Sequence, residues 1–179
     1  LIDMGERLLD VLELAEFVHI PALMDHKYFG QLGQGKHLEI PAADVGLISG
    51  GIRNEEHLEV ALEMRKKCGI IIALGTCATH GGIPALSNSY QNEEILDRYY
   101  STESTVPADA QPADGLPPLL DSAYALDEKI KVDVYLPGCP PHSDQIFGAL
   151  AALLGGEELN LRGKSVCDTC PPSARARGS

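Results

Sequence analysis

Apolar positions along this chain alternate between helical and strand spacing. Met4, Leu8, Leu12 and Ala15 recur every three or four residues behind the capping-box pair Asp3 and Glu6, which predicts an amphipathic helix over 3–15. Phe17–Ile20 reads as a short strand ended by Pro21, and 22–43 as a loop rich in Gly, His and aromatic residues. Val45–Ser49 is an apolar strand running into Gly50-Gly51. Asn54 is a good N-cap for the next helix, with Glu55 and Glu56 complementing the positive end of its dipole. That helix carries Leu58, Ala61, Leu62 and Arg65 and stops near Gly69. Ile70–Leu74 is apolar on both faces, as strands inside a parallel sheet are. Asn92–Tyr100 predicts a short helix, and 101–121, with Pro107, Pro112, Pro117 and Pro118, an extended loop that is either held against something or mobile. Val132–Leu136 is a further strand. Ser143 or Asp144 then caps a helix with Ile146, Phe147, Leu150 and Leu154 on one face, ended by Gly155-Gly156.

This alternation predicts an α/β fold, a flavodoxin-like three-layer sandwich with a mainly parallel sheet. Residues 1–160 form the domain and 161–179 a tail that holds Cys167-Asp168-Thr169-Cys170 and ends on Arg175 and Arg177. A doubly wound domain normally opens on a strand, whereas this chain opens on a helix and on Leu rather than Met. The expectation is that a strand and its exit loop belong before Leu1.

Composition narrows the function. A formal charge of −12 argues against nucleic acid and anionic membrane surfaces as main partners. No apolar run approaches the ~20 residues of a membrane span, and no signal peptide is visible. The five cysteines are an odd number with no secretory signal, which suits metal chemistry in a reducing compartment better than a disulfide framework. Cys68, at the end of a helix, reads as a small buried hydrophobe.

Cys77 and Cys139 are different. Each follows a predicted strand by a short Gly-containing turn, so both fall at the carboxyl edge of the sheet, where open α/β folds collect ligands. Gly/Pro-rich loops bring backbone N–H groups close to an anion, and thiolates are the soft ligands of iron–sulfur clusters. Pro140 and Pro141 stiffen the loop after Cys139. Spacing alone leaves open that these are simply two loop cysteines. Cys167 and Cys170 are either half of a second metal site or an unliganded, redox-labile pair. His80 and His142 flank the cysteines, either as donors to a cluster sulfur or as ordinary loop histidines. His26–Phe29 and 101–121 suit either a partner subunit or packing within the chain.

Gly75-Thr76-Cys77-Ala78, Gly81-Gly82-Ile83-Pro84-Ala85 and Leu136-Pro137-Gly138-Cys139-Pro140-Pro141 resemble the small-subunit motifs of nickel–iron hydrogenases, and are similar to the cluster-bearing subunit of respiratory complex I. Met24–Gly30, Ser49–Ile52 and Val166–Pro171 favour the cytoplasmic, multi-subunit hydrogenases coupled to nicotinamide, ferredoxin or heterodisulfide chemistry. The resemblance implies a proximal [4Fe–4S] cluster with Cys77 and Cys139 as two ligands. The other two are expected from a Cys-x-x-Cys loop upstream of Leu1.

It also implies that H2 is split at a nickel–iron centre in a partner large subunit. This chain would pass the electrons singly to further iron–sulfur or flavin acceptor subunits, with FMN and NAD, or ferredoxin, downstream. Two other readings compete. A complex I-type quinone-reducing subunit has adjacent cysteines in the first loop. A cluster-free flavodoxin-like module would cradle phosphate in the Gly50-Gly51 and Gly75–Gly82 loops.

Overall fold

A computed structural model describes residues 10–11, 13, 15–20, 28–29, 37–102 and 115–156. The chain divides into two units, 16–142, and 1–15 together with 143–179.

The first unit is built on a parallel sheet of three strands, β3 (Ala43–Ser49), β5 (Cys68–Leu74) and β7 (Val134–Leu136), in the order β3-β5-β7. A two-residue antiparallel pair, β1 (Tyr28–Phe29) with β2 (His37–Leu38), precedes it. A second small antiparallel pair joins β4 (Ile52–Asn54) to β6 (Leu119–Tyr124). Helix α1 (Glu55–Lys67) connects β4 to β5, and the short α2 (Thr76–His80) follows β5. A 3-10 turn (Pro84–Ser89) leads into α3 (Asn92–Tyr100), and another (Leu126–Glu128) links β6 to β7. In the second unit, α4 (Ser143–Leu154) buries Ile146, Ala149 and Leu150 at i, i+3, i+4 spacing.

The start of α1 holds for physical reasons that can be seen. The Asn54 side chain accepts from the His57 N–H, Glu55 and Glu56 fill the first turn, and Arg65, Lys66 and Lys67 close the last. Strand β5 is central and its Ile71, Ile72 and Ala73 are fully buried, which explains its unbroken apolar run. With Ile71 and Ala73 the core gathers Ile52, Ala61, Cys68, Ala78, Leu126 and Ile130. Cys68 is the first residue of β5 and is buried there; burial pushes its thiol pKa up, against a smaller opposing effect of the Arg65 charge.

Four expectations change. Residues 17–20 carry no strand. The expected loop 22–43 contains the β1–β2 pair, and the expected loop 101–121 contains the start of β6. Strand β7 begins at Val134 rather than Val132 because Asp133 uses its side chain. Its carboxylate accepts from the Ile71 N–H at 2.9 Å while its own N–H donates to Ile71 O at 3.0 Å. The predicted helix over 3–15 is described only in part, with Asp10, Val11 and Glu13 helical. His26, Lys27, 103–114 and the tail with Cys167 and Cys170 lie outside the described residues. Among the described residues, no helix is long and apolar enough to cross a membrane.

Asp133 also pairs with Arg65 and with Lys131 (3.3 Å), and Arg65 in turn donates to the Cys68 and Gly69 carbonyls. This cluster ties the end of α1 to the starts of β5 and β7, at the edge opposite Cys77. The Ile71 N–H first, and then Arg65, hold the Asp133 carboxyl at about 2. An ordinary aspartate titrates near 3.9. A depressed folded-state value means the stabilisation is complete above pH ~4 and is lost as pH falls toward 2. Asp133→Asn is expected to cost about 1–2 kcal/mol at neutral pH. It should also flatten the loss of stability between pH ~4 and ~2. Urea unfolding midpoints across that pH range check both.

Candidate iron–sulfur site

The parallel register of β5 and β7 decides where the two cysteines fall. Leu74 pairs with Leu136, the last residue of each strand. Cys77 and Cys139 each lie three residues beyond that pair. Two adjacent parallel strands thus deliver two thiols at matched offsets over one sheet edge.

The backbone holds the two loops together. Gly75 N–H donates to Leu136 O at 2.8 Å and Thr76 N–H to Gly138 O at 2.8 Å. Gly138 N–H donates back to Thr76 Oγ1 at 3.2 Å. The expectation of an open loop around Cys77 is corrected by α2. Ala78 and Thr79 N–H both donate to Gly75 O, and Gly81 N–H donates to Cys77 O, so Cys77 sits in the first turn of a short helix. Thr79, nearly fully buried, adds an Oγ1 bond to Gly75 O at 3.2 Å.

Glycine is required at two points around the thiols. Gly82 has φ +56°, and a Cβ there would lie 2.9 Å from both Cys77 Cα and Cys77 Sγ. Gly138 has φ +147°, and its Cβ would lie 2.5 Å from Pro141 Cα. Any larger residue at 82 would therefore occupy the space beside the Cys77 sulfur. These glycines, with Thr76, are the supporting residues that the motif spacing alone did not single out. A Gly pair close behind a Cys was the available signal.

Cys77 is half-buried, Cys139 is exposed, and both are free thiols. The structure therefore brings these two predicted ligands to one edge. His80 is exposed, with Nδ1 2.7 Å from Thr79 Oγ1, and His142 is exposed. Among the described residues no group of three or more His, Cys, Asp or Glu is placed to hold a metal ion. The donors present suit an iron–sulfur cluster in kind, being soft thiols in backbone-rich turns with open space kept beside one sulfur.

Residues 1–153 match the family described as NADH ubiquinone oxidoreductase, 20 Kd subunit. The chain is 44% identical over 172 residues to a subunit of the F420-non-reducing hydrogenase vhu of Methanocaldococcus jannaschii, covering 96% of this chain and 56% of that protein. It is 36% identical over 197 residues to the iron-sulfur subunit of the F420-non-reducing hydrogenase of Archaeoglobus profundus, covering 99% of this chain and 59% of that one. The chain thus spans little more than half the length of these relatives. Its fold matches a chain in the crystal structure of an NAD+-reducing [NiFe]-hydrogenase in the H2-reduced state. The TM-score is 0.77 at 34% identity, over 90% of this chain and 85% of that one. This chain belongs to the family of the NADH ubiquinone oxidoreductase 20 Kd subunit and is similar to subunits of F420-non-reducing and NAD+-reducing hydrogenases.

Proposed function

We propose that this chain is the iron–sulfur small subunit of a soluble, cytoplasmic nickel–iron hydrogenase, and that Cys77 and Cys139 are two ligands of its proximal [4Fe–4S] cluster. The observation that carries this is the matched offset of the two cysteines beyond the Leu74–Leu136 pair. The flavodoxin-like sandwich belongs to the same reading, supported by the parallel β3-β5-β7 order with α1 as a crossover. When bound, such a cluster supplies one-electron chemistry. The chain's own residues do the rest. Cys77 and Cys139 provide thiolate sulfur, α2 fixes the direction of the first, and the Gly138 turn that of the second. Two further donors are needed, from residues beyond those described. Cys167 and Cys170 stay candidates for a second metal site.

The implied partner is a large subunit that holds a nickel–iron centre and splits H2. Acceptor subunits with further clusters or flavin would lie downstream, with NAD or ferredoxin as the terminal carrier. Ile83, Leu86 and Tyr90 support a partner close to Cys77. They follow it within thirteen residues and are 70%, 69% and 62% exposed, and large apolar side chains grouped in this way mark contact surfaces. Ile83 and Leu86 are one 3-10 turn apart and share a side.

The competing complex I-type role differs in substrate. The purified native complex is expected to reduce its acceptor with H2 as the electron source. NADH-dependent quinone reduction without any H2-dependent reaction would overturn the hydrogenase assignment.

A further inference from the structure

The two cysteine loops are joined by a reciprocal pair of hydrogen bonds made by the residues immediately before each thiol. Thr76 N–H donates to Gly138 O, and Gly138 N–H donates to Thr76 Oγ1. One bond is backbone to backbone and survives any non-proline substitution. The other depends on a hydroxyl at position 76. Elsewhere in the loop Gly75 N–H holds Leu136 O, which fixes the strand exits but lies one residue further from Cys77 and two further from Cys139. Without the hydroxyl only the Gly138 carbonyl would be tied to Thr76, and the Pro137–Gly138 peptide, which carries the Gly138 N–H, would lose this hold on the Cys77 turn. Gly138 also adopts a backbone conformation open mainly to glycine, so its own torsional preference does little to hold Cys139.

We propose that Thr76 is a positioning residue whose hydroxyl locks the Cys139 turn against the Cys77 turn and so sets the spacing of the two thiols for one cluster. This role rests on Cys77 and Cys139 being ligands of the same cluster. Thr76 is no ligand in this reading; it acts through the Gly138 N–H that its hydroxyl accepts. A hydroxyl acceptor for a backbone N–H contributes modestly, so its loss should loosen the site rather than abolish it.

The test compares the purified native complex carrying Thr76→Val, Thr76→Ala or Thr76→Ser with the wild type and with Cys77→Ser. Val keeps the shape and removes the acceptor, Ala guards against crowding by the branched side chain, and Ser restores the hydroxyl. Two quantities are read. One is the rate at which iron is lost to a chelator. The other is the midpoint potential and electron paramagnetic resonance signal of the cluster that Cys77→Ser removes. The Val and Ala variants are expected to lose iron roughly three- to tenfold faster than wild type and to show a shifted potential, with Ser returning both to wild-type values. Wild-type rates and potentials in Val and Ala, with the signal still lost in Cys77→Ser, would overturn the role of Thr76 alone. The same holds for a Ser variant as impaired as Val. A signal unchanged by Cys77→Ser would overturn the ligand assignment, and the role of Thr76 with it.

Discussion

Cys77→Ser and Cys139→Ser are each expected to abolish H2-dependent reduction of the downstream acceptor. The thiols lie at equal offsets over adjacent parallel strands, and in the proposed cluster each is one corner of a shared site. Serine keeps nearly the same shape but presents a hard, protonated oxygen in place of a soft thiolate. Even changes to groups behind metal ligands cost about 10–100-fold, so loss of a ligand should exceed that range. Cys68→Ser serves as the control. Its side chain is buried in the core beside α1, at the far end of β5 from Cys77. It should lower stability without removing the cluster. Acceptor-reduction rates under H2, measured on the intact complex, separate the two outcomes. A Cys77→Ser complex with wild-type turnover would contradict the assignment.

Gly82→Ala is expected to have the next largest effect, on both folding and cluster retention. At φ +56° the backbone is left-handed, which costs a residue with a Cβ roughly 1–2 kcal/mol. The new methyl would also sit 2.9 Å from Cys77 Cα and Sγ and 3.0 Å from Cys77 N, atoms of a hydrogen-bonded turn that cannot easily give way. Overpacking of this kind costs about 1–3 kcal/mol more. Together these come to about 2–5 kcal/mol, and the strain falls on Cys77, a proposed cluster ligand. Denaturant unfolding should show the loss, and iron content should fall with it. A Gly82→Ala protein with wild-type stability and iron content would show that the space beside Cys77 is not needed.

Much of the parallel core was legible because its elements carry local signals. Asn54 followed by Glu55 and Glu56 marks a helix start without any tertiary information, and the unbroken run in β5 marks a central strand. Placing Cys77 and Cys139 on one edge needed only the rule that β-α units run parallel. The parts that were missed depend on distant partners. Strand β6 follows Pro117-Pro118 and pairs with the three-residue β4, so little periodicity betrays it. Its other contacts come from side chains. Arg53 donates to Leu120 O at 2.6 Å, Asn92 Nδ2 to Leu120 O at 2.8 Å, and Asn88 exchanges two bonds with Ala123. No local pattern signals a strand edge satisfied by amides and a guanidinium. The same holds for Asp133, whose carboxylate replaces a ladder bond at the start of β7. At the site, the cysteines were readable as chemistry and the Thr76–Gly138 clasp was not, because it exists only once β5 and β7 are paired.

The most direct test of the central claim is measurement of iron, acid-labile sulfide and the reduced-state electron paramagnetic resonance spectrum of the purified native complex, with and without Cys139→Ser. The variant is expected to lack one cluster's iron and sulfide relative to wild type, along with one reduced-state signal. Equal iron, equal sulfide and an identical spectrum in the two proteins would contradict the assignment of Cys139 as a cluster ligand.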